Sequence, residues 1–511
     1  MNKKLVFICT NDMHCAVAGD DDHLGLDGVA GLARQLRSEY GAENVCLVDA
    51  GDALGVGVAG CVSGGEVPLK LMESCGYAAY CPGNADVSLG VSRLVELAHN
   101  TSIPFVCCNM HDVTTGELLF APYIVHEVGG VPIGFVGVTT PLCHAGTEAA
   151  DFANPGKAVG LDCCQEEGGH RLARAVQAAA DDARRAGAKV VVLLSHLGQS
   201  GEHPAFRSDT VLAAVRGIDL VVDGHSHESY LQHVQDAEGR LVPVVQGGLE
   251  FARASVVVLD EHATLLAMHA VSRGDVKLDD NMSHKITCAM EPYRPMFSQA
   301  ICELPVGLRA RDEDGSWLVR RAETNLGDLV ADAVRACFDA DIALIPSWVL
   351  RDDLHSGIVT VEDVYRVHPL GHSTCCVRAA PTQVIAALDK STSQQPAGYR
   401  YWLQLSQGLE VRFDPANRKS VEIRLNGKPI EAEAEYTIAG LDFMVAGGGS
   451  GYPCFAGSEV VSKSSTPVVE AIAAYLRSLS PAEVAGHYNN PLGGAGRVRQ
   501  ALLLKSEGRR P

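Results

Sequence analysis

Five segments of the chain carry side chains that could bind metal ions, and each follows a short apolar run. They are residues 10–14, 49–52, 83–84, 195–196 and 224–227. Their carboxylate, imidazole and amide groups are ligand types that suit Mn²⁺, Zn²⁺ or Fe. Ligands of an open α/β sheet bind beyond the carboxyl ends of its strands, where distant segments can meet. The sequence therefore predicts a metal site at the edge of a sheet.

Two of these segments repeat one spacing. Asp12 and His14 are two residues apart, and so are His225 and His227. Because alternate residues of an extended strand point the same way, each pair could bind one ion. Taken singly, each motif also fits a turn with an ordinary histidine or a Gly-Asp pair. Only the whole set indicates two ions, which one aspartate could bridge.

Strand and helix patterns alternate along the first half of the chain, which is typical of an α/β sheet. Residues 169–186 place their apolar side chains on one helical stripe, directly before the apolar run 189–195. A hairpin is predicted across Gly129-Gly130. The other predicted strands are residues 5–9, 45–49, 104–108, 123–128, 131–138, 219–223, 242–246 and 255–259.

The strand pattern stops after about residue 274, and two prolines interrupt the stretch that follows. We therefore expect a linker, helical in character, at residues 283–303. The first domain would span residues 1–282 and the second 304–511. The second domain contains a strongly amphipathic helix predicted at 325–338.

The order and flanking glycines of the motifs match those of a known family. Residues 10–14 read TNDMH, 49–52 read DAGD, 83–84 read GN and 224–227 read GHSH. These segments strongly resemble the calcineurin-like metallophosphoesterases, and within them the 5′-nucleotidase/UDP-sugar hydrolase (bifunctional 2′,3′-cyclic-nucleotide phosphodiesterase) family. The resemblance covers nearly the whole chain, since further family segments are similar to residues 28–34, 246–248, 320–333 and 442–452.

The resemblance implies a fold, a ligand set and a reaction. The α/β fold would be a four-layered metallophosphoesterase β-sandwich flanked by helices, followed by a 5′-nucleotidase-type α/β domain. The implied reaction is hydrolysis of a small phosphorylated substrate, with a nucleotide as the default and two divalent metals that activate water. The implied metal ligands are Asp12, His14, Asp52 and His227 for the first ion, and Asp52, Asn84, His196 and His225 for the second.

Two departures from the family bear on catalysis. Its segment GNHEFD carries a histidine and an aspartate at positions that are here Ala85 and Ser88. In the family the histidine stabilises the transition state and the aspartate orients it, and losing such a group costs ~10² to 10⁴ in rate. The alternative function is therefore a catalytically weak or inactive metal-binding homologue that acts as a sensor or scaffold.

The second domain keeps some of the family's substrate residues and lacks others. By resemblance, Arg320, Arg351 and Phe443 would bind the substrate, and Phe443 would stack on a base. The opposing aromatic position is Leu370, and the family's NGGGIR loop is here PSWVLR at 346–351. Bulky residues in place of glycines indicate a smaller or differently shaped substrate, so sugar phosphates and sulfur-containing substrates are alternatives to a nucleotide.

The composition of the chain restricts the classes of partner and the cellular compartments that we expect. The chain has 42 Lys and Arg against 62 Asp and Glu, giving a net charge of −20. That balance argues against partners such as nucleic acid or an anionic membrane surface. The N-terminus has no signal-peptide pattern, and the 17 cysteines favour reduced thiols. We expect a cytoplasmic location, or a periplasmic or extracellular one if a leader was removed; the oligomeric state is left open.

Overall fold

The computed structural model describes residues 3–143, 160–166, 168–200, 203–393, 401–414, 419–431, 433–447, 452–491 and 496–500. The chain forms two compact units, Met1–Tyr293 and Arg294–Pro511. Their boundary lies within residues 283–303, the segment expected to be a linker. Among the described helices, none combines the length and the apolar character that crossing a bilayer requires.

Two stacked sheets form the first unit, with strand orders β13-β12-β1-β2-β3 and β10-β11-β9-β8-β6-β5. The strands are β1 (Lys4–Thr10), β2 (Val45–Asp49), β3 (Tyr77–Tyr80), β4 (His111–Asp112), β5 (Tyr123–Val128), β6 (Val131–Thr139), β7 (Leu161–Asp162), β8 (Val190–His196), β9 (Leu220–Asp223), β10 (Ser229–Gln235), β11 (Leu241–Gly247), β12 (Ala254–Asp260) and β13 (Leu265–Val271). Strands β1 to β3 are parallel, as are β6, β8 and β9, so the carboxyl ends within each group lie at one edge.

Helices cover the outer face of each sheet. In β1, Leu5 and Phe7 pack against the second sheet, whereas Val6 and Ile8 pack against helices on the other face. The second sheet packs its own outer face on α6 and α7. The result is the predicted four layers, helix, sheet, sheet and helix. The helices are α1 (Gly25–Tyr40), α2 (Val58–Ser63), α3 (Glu66–Cys75), α4 (Asn84–Val87), α5 (Val91–His99), α6 (His170–Arg185), α7 (Ser208–Ala213) and α8 (Asp280–Met290).

One predicted strand of the first unit is wrong. Residues 104–108 bond in turn to different neighbours: Val106 N–H donates to the Tyr80 carbonyl, and Cys108 N–H donates to the Gly137 carbonyl. A Cβ on Gly137 would lie 1.9 Å from the Val106 oxygen, so the segment passes very close to β6. Its apolar pattern indicated burial correctly. The segment is not a regular strand, because no single neighbouring strand pairs with it along its whole length.

The second unit contains a five-stranded sheet of order β18-β15-β22-β17-β23 and a four-stranded sheet of order β21-β20-β19-β24. Its strands are β14 (Ala300–Leu304), β15 (Ile342–Pro346), β16 (Gly357–Thr360), β17 (Ser373–Ala379), β18 (Leu403–Leu405), β19 (Leu409–Asp414), β20 (Lys419–Leu425), β21 (Lys428–Pro429), β22 (Tyr436–Leu441), β23 (Glu459–Pro467) and β24 (Val498–Gln500). Its helices are α9 (Arg294–Phe297), α10 (Asn325–Ala336), α11 (Val361–Val367), α12 (Pro381–Thr392), α13 (Asp442–Val445), α14 (Val468–Ser478) and α15 (Pro481–His487).

The start of helix α10 shows why the sequence there is helical. Thr324 caps the helix by accepting a hydrogen bond from Gly327 N–H at 3.0 Å. The helix ends two residues before the predicted end at 338. A buried arginine, Arg497, is bound to this helix with its Nη2 2.8 Å from Asp332 Oδ2. The helix is therefore anchored by a buried ion pair as well as by its apolar face.

Candidate metal centre

The loops that follow β1, β2, β8 and β9 carry most of the predicted metal ligands. Five of these ligands have left-handed backbone conformations with φ between 46° and 74°: Asp12, His14, Asp52, His225 and His227. Such conformations cost about 1–3 kcal/mol each in residues other than glycine, and they cluster at functional sites. Backbone bonds between loops maintain them, since Asp12 N–H donates to Gly51 O and His14 N–H donates to Asp52 O, both at 2.8 Å.

Asp12, His14, Asp52 and His227 form one tight group. Their ligand atoms all lie within 4.8 Å of one another. The Nε2 atoms of His14 and His227 are 3.1 Å apart, and His227 Nε2 is 3.4 Å from Asp12 Oδ1. His14 Nε2 is 3.8 Å from Asp12 Oδ1 and from Asp52 Oδ2. The structure therefore brings together all four residues that the sequence assigned to the first ion.

The residues assigned to the second ion lie beside the same aspartate. His196 Nε2 is 3.1 Å from Asp52 Oδ2, and the ring centroids of His196 and His225 are 5.3 Å apart. The N–H of Ala85 donates to Asp52 Oδ1 at 2.6 Å, which brings the loop containing Asn84 to this carboxylate. The buried Oδ1 of Asn84 accepts no hydrogen bond from the part of the chain that is described.

Ionisation in this cluster follows from burial and from the mixture of charges. Burial acts to raise the pKa of Asp52, but His196 and His14 outweigh it and hold that pKa below the usual range. Burial acts to lower the pKa of His196, yet the carboxylates of Asp52 and Asp12 raise it well above its usual value. Burial, reinforced by His196, lowers the pKa of His225 to about 3. Asp52 is thus ionised at neutral pH.

These residues fit divalent metals. His196 Nδ1 is 2.7 Å from the Ala50 carbonyl, an arrangement that assigns the proton to Nδ1 and leaves Nε2 as the ligand nitrogen. A Cβ on Gly83 would lie 2.1 Å from Asp52 Oδ1, so the loop reaches the Asp52 carboxylate only with glycine there. The buried Asn84 Oδ1, which has no hydrogen-bond partner among the described residues, would be a further oxygen ligand. Mixed nitrogen and oxygen donors suit several transition metals and do not select one.

Asp86 is a buried carboxylate to which the sequence assigned no role. It connects the loop of Asp52 to the loop of Gly83. It accepts hydrogen bonds from the N–H groups of Asp52 at 3.0 Å, Leu54 at 2.7 Å and Gly83 at 2.7 Å. The Tyr80 hydroxyl donates a fourth. The only signal for this role was the acidic residue that the family has at the same position of its GNH[ED] motif.

Two amides support the remaining loops, and neither was assigned a role from the sequence. Asn11 Nδ2 donates to Asp12 Oδ2 at 2.6 Å, and its Oδ1 accepts from Gly247 N–H at 2.8 Å. Gln246 Nε2 donates to the Gly224 carbonyl at 2.7 Å. Their positions within TND and QGG were visible, but the contact between Asn11 and Gly247 joins residues over 200 positions apart. Only the folded structure identifies such contacts.

The departures at positions 85 and 88 leave no orienting pair. Ala85 is 6% exposed and offers only a methyl group. Ser88 Oγ donates to the Ala85 carbonyl at 2.5 Å, so it bonds to backbone and does not orient a catalytic side chain. The candidate metal ligands are therefore grouped at a site where position 85 carries no proton-donating side chain.

The predicted substrate residues Arg320, Arg351 and Phe443 belong to the second unit. Burial, followed by the charges of Arg351 and Arg311, lowers the pKa of Arg320 to about 9, which places three arginines in one neighbourhood. Arg320 also lies over the Trp317 ring, 4.4 Å from its centroid. Residues 448–451, part of the segment that follows Phe443, lie outside the described residues.

Comparisons with known proteins agree with this architecture. Residues 307–457 match the family described as 5′-nucleotidase, C-terminal domain. The chain is 22% identical to a 5′-nucleotidase of Vibrio cholerae over 94% of this chain and 91% of that protein. It is 25% identical to endonuclease YhcR of Bacillus subtilis over 84% of this chain, and spans about a third (35%) of that protein's length.

A solved structure shares the fold of the whole chain. The crystal structure of a 5′-nucleotidase precursor from Thermus thermophilus superposes with a TM-score of 0.74 at 24% identity. The superposition covers 97% of this chain and 99% of that one. The predicted fold class is thus confirmed in both of its parts.

Proposed function

We propose that the chain, whose second unit matches the 5′-nucleotidase C-terminal domain and which is similar to 5′-nucleotidases over most of its length, hydrolyses a small phosphoester with two divalent cations. The convergence of Asp12, His14, Asp52 and His227, with ligand atoms within 4.8 Å of one another, carries the proposal. A second group of ligands, His196, His225 and Asn84, adjoins Asp52, which would serve both ions.

Two divalent cations in such a site lower the pKa of a water molecule and neutralise charge on phosphoryl oxygens. The chain's part is to hold the ligands rigidly. Ala85 N–H fixes one oxygen of Asp52 at 2.6 Å, and the Ala50 carbonyl fixes the ring of His196 at 2.7 Å. The side chain of His227 is 33% exposed, whereas those of Asp12, His14, Asp52 and His196 are buried, so the substrate would approach from the side of His227.

The methyl group of Ala85 sets a limit on the reaction. No acid at that position can protonate the leaving group, so we expect esters with stable leaving groups to react fastest. Relatives named 5′-nucleotidase make a nucleoside 5′-monophosphate the first natural substrate to test. The second candidate function is a metal-binding sensor or scaffold with weak activity. The lack of a proton donor at Ala85 favours it, and so does Ser88, which donates to the backbone carbonyl of Ala85 and orients no catalytic side chain.

The first experiment measures metal content and turnover together. The full chain should bind about two ions, and should hydrolyse bis(p-nitrophenyl) phosphate or a nucleoside monophosphate with Mn²⁺, Co²⁺ or Zn²⁺. Asp52→Ala should lose both ions at once, because Asp52 adjoins both ligand groups. Asp260→Ala, which alters the turn between β12 and β13, is the control that should keep them. Full metal occupancy in Asp52→Ala would refute the ligand assignment.

The double variant Ala85→His with Ser88→Asp separates the two candidate functions. If the chain is an attenuated hydrolase, restoring a proton donor should raise kcat by up to ~10² to 10⁴. The gain would be smaller if crowding at the buried Ala85 position lowers stability by about 1–3 kcal/mol, so melting and metal content are measured first. A stable, metal-loaded variant with no gain on any phosphoester would favour the sensor.

A further inference from the structure

Phe443, the residue that resembles the family's base-stacking aromatic, is covered by other rings of its own unit. The imidazole of His372 lies 4.6 Å from the Phe443 ring between centroids, and the indole of Trp348 lies 6.0 Å from it. Phe443 is 7% exposed, and Leu370, at the opposing position of the clamp, is 3% exposed. A base stacks only on an open ring face, so these contacts compete with stacking.

Trp348 and His372 are also in contact with each other, at 6.2 Å between ring centroids. The three rings therefore form one cluster, Trp348–His372–Phe443, in which each ring contacts the other two. Trp348 lies in the PSWVLR segment, where the family has glycines, so its bulk is what lets the cluster form. No part of this packing requires a ligand.

His368 lies next to this cluster and could exchange hydrogen bonds with a hydroxyl group of a ligand. His368 is fully buried, and neither ring nitrogen has a hydrogen-bond partner among the residues described. Its ring lies 5.4 Å from that of His372. Elsewhere in the same unit, the buried Nε of Arg320 likewise has no hydrogen-bond partner in the described part of the chain, and burial together with the charge of Arg351 lowers the pKa of both Arg320 and His368. Buried polar atoms of this kind are normally satisfied, so a polar ligand group is expected here.

We propose that the second unit binds a phosphoester whose organic part is compact and carries no nucleobase, with Trp348 and His372 as the specificity-determining residues that exclude a base from Phe443. The proposal rests on the proposed hydrolase function and narrows its substrate class. Oxygen atoms of a sugar or polyol can accept from Arg320 and exchange hydrogen bonds with His368. A purine would have to displace two packed rings before it could stack.

The test compares substrates that differ only in the base. For the metal-loaded full chain, ribose 5-phosphate should have a kcat/KM within about threefold of that of adenosine 5′-monophosphate. Trp348→Gly with His372→Asn should open Phe443 and raise the kcat/KM ratio of the nucleotide to ribose 5-phosphate at least tenfold. Adding Phe443→Ala should remove that gain. The single variant Trp348→Phe keeps a ring at this position and should not show the increase in the ratio.

Binding of adenosine provides a readout that does not depend on turnover. Calorimetry should detect no adenosine binding to the wild type and clear binding to the double variant, even if no phosphoester is hydrolysed and the proposed function fails. If the double variant does not fold, the single His372→Asn variant takes its place in both assays. A wild-type preference for the nucleotide of tenfold or more, lost in Phe443→Ala, would overturn the proposal.

Discussion

Replacing Asp86 by asparagine tests how the metal loops are held. The Asp86 carboxylate accepts four hydrogen bonds, from the N–H groups of Asp52, Leu54 and Gly83 and from the Tyr80 hydroxyl. Only Leu54 N–H donates to Oδ1. Asparagine therefore fits best with its NH₂ group in the Oδ1 position, where it faces Leu54 N–H and loses one bond.

The expected cost follows from that single lost bond. A hydrogen bond to a charged group is worth about 1.5–3 kcal/mol, and burying an amide costs less than burying a carboxylate. We therefore expect the lower end, about 1.5 kcal/mol. For a unit of this size that corresponds to a melting temperature about 3 to 6 °C lower. Because Asp86 accepts a hydrogen bond from the N–H of Asp52 and so fixes the loop that carries this carboxylate, metal affinity should fall by about 10- to 100-fold in the variant.

Melting followed by circular dichroism and metal affinity measured by competition with a chelator check the two effects separately. The matched control is Asp219→Asn, which alters a buried carboxylate at the amino end of β9, bonded to Val191 N–H and to Arg184 and Arg240. It should lower stability without changing metal affinity. If Asp86→Asn binds metal as tightly as the wild type, Asp86 does not position Asp52 for metal binding.

Three further predictions test other parts of the chain. Gly83→Ala should lower metal occupancy, because its Cβ would lie 2.1 Å from Asp52 Oδ1, whereas Gly274→Ala, with no atom within 4 Å of the added Cβ, should not. Burial lowers the pKa of His368 to about 4, so the unfolded chain binds a proton that the folded one does not. His368 alone should therefore account for a loss of about 3 kcal/mol in stability as pH drops from about 6.5 to 4, and the pH dependence measured by urea unfolding should be smaller by that amount in His368→Phe. Arg497→Met should destabilise the second unit by about 3–5 kcal/mol in the same assay, since it leaves the buried Asp332 without its cation, and a loss below 1 kcal/mol would show that the pair contributes little.

The sequence predicted the strands of the first unit well, and most of them are buried on both faces. β2 and β5 match the predicted residues, and β1, β6, β8, β11 and β12 differ by one residue at one or both ends. Apart from β5, which is partly exposed, these strands are nearly continuous in apolar residues. The segment 104–108 has the same composition, but pairing depends on which neighbour lies alongside. That information is not local, so the pattern could not distinguish a crossing segment from a strand.

Parts of the candidate site that depend on local sequence could likewise be predicted, whereas parts that depend on long-range contacts could not. Asp12, His14 and Asp52 were identified because they stand directly after strands in short motifs. Asp86 was not, because its role consists of bonds to backbone groups about 30 residues earlier in the sequence. Phe443 was identified by its motif, but the rings that cover it come from two other segments. Motifs thus specify ligands, whereas packing decides whether a ligand residue is accessible.

The departures from the family pattern at Ala85 and at Trp348 therefore have different consequences. In the first unit, alanine at position 85 still holds the Asp52 carboxylate among the candidate ligands, because the N–H at that position donates to Asp52 Oδ1 at 2.6 Å. In the second, the gain of a side chain at Trp348 alters what the aromatic cluster can accept. A backbone bond survives any substitution that keeps the backbone in place, whereas an open ring face is lost to any bulky neighbour. Metal binding should consequently persist in variants that change the substrate, and the two properties should be separable by mutation.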